Sequence, residues 1–124
     1  MPINFDTPHP QADLFDRQAE DVANKLNQAD FKLNKPTQLR RFYDELVSLQ
    51  ERVGQDEEKF RALEAYVRML NAKVAYAHGR GLVDLQFRNW FHDCLAAVKN
   101  ARSLTHFRLH FEAVLGFLRP LRKD

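Results

Sequence analysis

Met69-Leu70-Asn71-Ala72-Lys73-Val74-Ala75-Tyr76-Ala77-His78-Gly79-Arg80 is the end of a helix with little surface to give to water. Between Met69 and Ala77 only Asn71 and Lys73 are polar, so the segment predicts a central helix packed nearly all round. Gly79 suits the left-handed residue that terminates such a helix. Lys73, Tyr76 and Arg80 fall at i, i+3 and i+7, on one flank. Two cations beside an aromatic on a rigid helix suit a phosphate chain with a base stacked nearby. The same pattern also suits a core helix whose lysine extends its ammonium to the surface.

Working outward, the pattern stays helical. Leu39, Phe42, Leu46, Leu49 and Val53 repeat at alternating three and four, giving a heptad-like stripe over about Pro36–Val53. Gly54 closes that helix and Asp56 caps the next, Glu57–His78, which packs through Phe60, Leu63, Val67, Leu70, Val74 and Ala77. Before them, about Gln11–Gln28 forms a first helix, and Asn34 is the candidate cap of the second. A fourth helix, about Leu82–Ala101, turns Val83, Phe87, Trp90, Phe91, Cys94 and Val98 inward. Ser103 is placed to cap a fifth, Leu104 to about Arg119, which Pro120 ends. The arm Met1–Pro10 carries Pro2, Pro8 and Pro10 and is expected to be flexible.

The fold expected is therefore all-α, a single-domain five-helix bundle, with residues 1–34 as arm and first helix and 35–124 as the helical core. Ten Phe, three Tyr and one Trp fill it, and only four Gly interrupt it. The single Cys94 excludes a disulfide framework and reads as a packed thiol in a reducing compartment. With no spanning run and no leader pattern, a cytoplasmic protein without membrane partners is expected.

The net charge of +2 hides an asymmetry, because residues 66–123 carry ten bases against three acids. A half-chain that basic implies a polyanionic partner, most simply nucleic acid, unless it is only solubility charge that happens to cluster. Arg40 and Arg41 at the start of the second helix, Lys73 and Arg80 at the end of the third, and Arg88 and Lys99 on the fourth are the candidate phosphate contacts. Sequence-specific readout lacks its usual motifs. The fifth helix carries a second apolar stripe, Leu109, Ala113, Gly116 and Phe117, which is either a subunit contact or a bed for the first helix.

Catalysis finds little support. His106 and His110 stand at i, i+4 as a metal pair would, but position 107 is Phe where a zinc-peptidase motif needs Glu, and no third ligand is evident. The two histidines read more simply as surface or boundary residues. No cofactor is implied, and no enzyme.

Two motifs carry a family resemblance. Gln38-Leu39-Arg40-Arg41-Phe42-Tyr43 resembles a glutamine–aliphatic–arginine helix entry, and Lys73 to Arg80 resembles a lysine–aliphatic–alanine–tyrosine…glycine–arginine signature. Phe107, Phe111, Glu112, Ala113 and Val114 fit the closing helix. The family is the small helical subunit of type III-A CRISPR–Cas effector (Csm) complexes, and the resemblance runs from about Lys35 to Leu118. Pro36-Thr37 departs from it, standing where the family usually has capping hydroxyl residues.

The resemblance implies a non-catalytic subunit in antiviral defence. Copies stack head to tail into an inner filament beside the backbone subunits, and basic residues hold the guide RNA–target RNA duplex. RNA and DNA cleavage belong to the backbone and large subunits. Arg40, Lys73 and Arg80 match basic family positions, whereas Arg41, Arg88 and Lys99 come from the helical-wheel reading alone. A helical protein–protein adaptor without nucleic acid is the competing expectation.

Overall fold

The computed structural model describes residues 3–124. Among the described residues there are five helices and no strand: α1 (Arg17–Leu26), α2 (Pro36–Val53), α3 (Glu57–Gly79), α4 (Leu85–Ala96) and α5 (Ala101–Leu118). The all-α bundle is as the sequence predicts, and Cys94 is buried, with burial pushing its thiol well up. The ends of the helices differ from expectation, and each difference has a local cause.

Gly79 does not stop α3; Gly81 does. Gly81 takes φ +72°, its N–H donates to the His78 carbonyl at 3.0 Å, and the Leu82 N–H donates to the Ala77 carbonyl at 3.0 Å. That pair of bonds is a Schellman closure with Gly81 as its left-handed residue. Asn34 likewise does not cap α2. It is fully buried at φ +54°, a conformation asparagine tolerates better than most residues. Its amide donates to the Leu26 carbonyl (3.1 Å) and the Asp84 carboxylate (2.9 Å), and its side-chain oxygen accepts from the Asp84 N–H (3.0 Å). Asn34 thereby bolts the α1–α2 connector to the start of α4.

Helix α4 starts late because Asp84 is its cap, accepting from the Phe87 N–H at 2.9 Å. It also ends early, at Ala96. Helix α5 starts earlier than expected, since Asn100 is the cap and Ser103 sits at N3 as its reciprocal partner in a capping box.

The arm is not flexible over the residues described; Met1 and Pro2 lie outside them. Phe5 is 0% exposed and stacks on Phe107 with ring centroids 5.6 Å apart. Asp6 anchors the same segment, accepting from the Arg102 guanidinium and the Asn100 amide at 2.8 Å each. Prolines forbid a helix there, but they do not forbid docking. Helix α1, shorter than predicted, follows this arm onto α5.

Helix α3 is also not central. It packs mainly on α2 and α4, touching α5 where the Ala101 N–H donates to Glu57, while α5 packs on both α1 and α2. Phe60, Val67, Leu70, Val74 and Ala77 point inward, but Tyr66, Met69 and Tyr76 are left facing outward. The apolar composition of that helix therefore reflects an outer stripe as well as an inner one.

Phe5→Ala should lower stability by about 3–5 kcal/mol through lost burial and a cavity against Phe107. Denaturant unfolding monitored by circular dichroism measures it, and an unshifted midpoint would mean that the arm contributes nothing.

Candidate nucleic-acid interface

Helices α2 and α3 are joined by three residues, Gly54 to Asp56, so they run antiparallel as a hairpin. Their register is marked by the ion pair between Lys73 Nζ and Glu45 Oε1 at 2.5 Å. Arg41 is one turn before Glu45, and Tyr76 and Arg80 are one and two turns beyond Lys73. The hairpin's open end therefore gathers Arg41, Lys73 and Arg80, all exposed. Arg88, at the start of α4, lies on another side of α3, where its Nη1 donates to His78 Nδ1 at 3.2 Å.

Each cation has a different setting. The Arg80 guanidinium lies over the Tyr76 ring, 5.8 Å from its centroid. Lys73 is engaged with Glu45, so a phosphate would have to displace a carboxylate to reach it. Arg40 turns the other way, over Tyr43 at 5.4 Å and beside Asp44 at 3.4 Å. It lines a groove of about 710 Å³ between α2 and α5 with Thr37, Tyr43, Glu112, Gly116 and Arg119. Tyr43 donates to Glu112 at 2.8 Å in that groove, and burial together with this carboxylate raises the phenol's pKa. Lys99 stands apart, at the far end of α4, in a hollow it shares with Asp6 and Asp93. The structure thus brings Arg41, Lys73 and Arg80 to one end of the hairpin, sets Arg40 on an adjoining face and Arg88 on the α4 side of α3, and leaves Lys99 elsewhere. Arg119, which places a second cation near Arg40, was not singled out by sequence; nothing in its position beside Pro120 distinguishes it from a helix-end charge.

Two of the bases behind the charge asymmetry are structural. The Arg68 guanidinium donates to the carbonyls of Leu95 (2.5 Å) and Val98 (2.6 Å) at the end of α4 and to Glu64 (2.8 Å). Arg122 is only 7% exposed. It donates to the carbonyls of Asn27 (3.0 Å), Ala29 (3.0 Å), Leu33 (2.8 Å) and Asp30, tying the chain's end to the loop after α1.

The histidines are not a surface pair. His106 Nδ1 donates to the Phe5 carbonyl and His110 Nδ1 to the Leu14 carbonyl, both at 2.8 Å. His110 is 2% exposed between the rings of Phe5 and Trp90. Both Nδ1 atoms serve the segment that precedes α1, and among the described residues no cluster of three metal-ligating side chains forms. On the second stripe of α5, Ala113 and Phe117 are half-buried against the core, Leu109 is half-buried and Gly116 is exposed, with α1 lying along the same helix.

The family model described as Csm2 Type III-A matches residues 9–123. The chain belongs to that family and is a small subunit of a type III-A CRISPR–Cas complex. The match takes in α1, which the sequence motifs had left outside. No curated protein and no solved structure matches. No helix among the described residues is long and apolar enough to cross a membrane.

Two outcomes follow from this sorting of charges. Arg122→Ala, which strands several buried carbonyls, should cost about 2–4 kcal/mol, whereas Arg80→Ala should change stability by no more than about 0.5 kcal/mol. Urea unfolding of both variants distinguishes a structural from a surface cation. The second outcome concerns pH. Burial lowers the His110 pKa below 6.5, outweighing the Leu14 hydrogen bond that raises it. Below 6.5 the unfolded chain therefore takes up a proton that the folded chain resists, so stability falls as pH drops from there through the lowered folded value. His110→Gln should flatten the stability profile in that window; an unchanged profile would assign the effect to other groups.

Proposed function

We propose that this small subunit holds the guide RNA–target RNA duplex of its complex through phosphates and performs no chemistry itself. The observation that carries the reading is the group of exposed cations at the open end of the α2–α3 hairpin: Arg41, Lys73 and Arg80, with Arg88 on the α4 side of the same end. Side chains spread along helices meet a sugar-phosphate backbone without reading base edges. Arg40, with Arg119, extends the contact around α2, and Lys99 serves as an outlying contact.

Assembly follows the same reading. The partners are the large and backbone subunits and further copies of this chain, stacked head to tail so that successive clusters track one duplex. Leu109 and Gly116 are the parts of the α5 stripe most open to a neighbouring subunit, with Ala113 and Phe117 supporting them from below. The absence of base readout suits a subunit whose guide, not its own side chains, selects the target.

Changing Arg40, Lys73 and Arg80 together to Ala should weaken target-RNA binding by the assembled complex and make it less salt-dependent. The log–log salt slope should fall by about 0.7 for each lost contact to a single strand. The melting temperature of the free subunit should barely move, because exposed cations contribute little to folding. Affinity and slope both unchanged would remove these residues from the interface. A large fall in melting temperature would return them to a structural role.

A further inference from the structure

We propose that Tyr76 is a stacking platform for an unpaired base of the RNA strand whose phosphates Lys73 and Arg80 hold. The inference rests on the phosphate-contact reading and adds the class of nucleotide recognised. Tyr76 is 66% exposed, although Val74 and Ala77 beside it are buried. The bundle gains little from a ring there, since any polar helix former would serve the fold as well.

Its neighbours along the outer face select the occupant. Lys73 lies one turn before Tyr76 and Arg80 one turn after, so the ring is bracketed by cations about 10 Å apart along the helix axis. The Arg80 guanidinium, 5.8 Å from the ring centroid, lies against the ring and favours one orientation of it. Tyr66 and Met69 continue the outward stripe, 60% and 55% exposed. Cations on both sides of an exposed ring favour a polyanion that also offers a flat apolar face. Bases within a duplex are stacked on one another and offer none, so the occupant is a base that is splayed out, at a strand end, or in a single-stranded stretch. A protein helix would use Tyr66, Met69 and Tyr76 but would gain nothing from two flanking cations unless it were acidic.

The test uses the reconstituted complex with its guide RNA and target RNAs carrying 2-aminopurine at successive positions. Stacking on Tyr76 quenches the probe at the positions that reach it. Tyr76→Leu should restore fluorescence there and weaken target binding about tenfold per stacked base, with the salt slope unchanged. Tyr76→Phe, which keeps the π-face, should bind within about twofold of the parent. If Tyr76→Leu binds and quenches like the parent while the Arg40, Lys73 and Arg80 variant binds weakly, the stacking proposal falls and the phosphate reading stands. If neither variant matters, both fall together. If the Tyr76→Leu subunit folds but no longer enters the complex, the stripe is a protein contact and the proposal is overturned.

Discussion

The layer of rings between α4 and α5 is the constraint on which everything else depends. Phe107 and Phe111 of α5 stack on each other at 6.0 Å, and Trp90 meets Phe111 edge-on at 5.2 Å. Phe91 meets Phe107 at 5.5 Å, and Tyr43 brings α2 onto Phe111 at 5.6 Å. Aromatic side chains bury about 150–250 Å² each and favour such tilted contacts, so this layer supplies bulk and orientation together. Phe5 completes it from the arm, which explains why a proline-rich segment is held in place. It also explains why α3 stands outside. The bundle closes around α5, leaving α3 to cover only one side of α2 and α4 and to present the opposite flank outward.

That geometry makes the positive charge a poor guide to the interface when it is simply counted. Arg68 and Arg122 spend their hydrogen bonds on carbonyls at the end of α4 and in the loop after α1. Arg102 holds the arm through Asp6, and Arg108 lies 3.5 Å from Glu112. Helix and loop ends with unpaired carbonyls need donors, and a planar guanidinium with several N–H groups satisfies two or three at once. What remains for a polyanion is a smaller set, concentrated where α3 ends.

Much of the fold was legible because helix periodicity is a local property. The α2 stripe through Leu39, Phe42 and Leu46 predicted both its bounds and its buried face, and Gly54 and Asp56 marked the turn. What sequence missed was long-range. Asn34 looks like a cap because it precedes a helix, yet it bonds to Asp84, fifty positions on. His106 and His110 have metal-like spacing, but their Nδ1 atoms are taken by the carbonyls of Phe5 and Leu14 ahead of α1, which no local pattern reveals. The apolar flank of α3 suggests burial in sequence because composition cannot say which side of a helix lacks a neighbour. The candidate cations were legible as residues, whereas their grouping depended on the hairpin register, which the Glu45–Lys73 pair marks.

The settings of Lys73 and Arg80 then imply different parts in one contact. Lys73 already has a carboxylate, and both partners are about two-fifths exposed, so replacing Glu45 with a phosphate exchanges one screened ion pair for another. Its net gain in affinity in the proposed contact would therefore be small. Arg80 has no carboxylate partner among the described residues, and its guanidinium rests on the Tyr76 ring, from where its remaining N–H groups are free to meet phosphate oxygens. In the proposed contact Arg80 would supply more of the attraction, and Lys73 would act mainly on position. A released Glu45 would lie one turn from Arg41 on α2, close enough for that cation to compensate it, which keeps the exchange at Lys73 from leaving an unpaired acid facing the RNA.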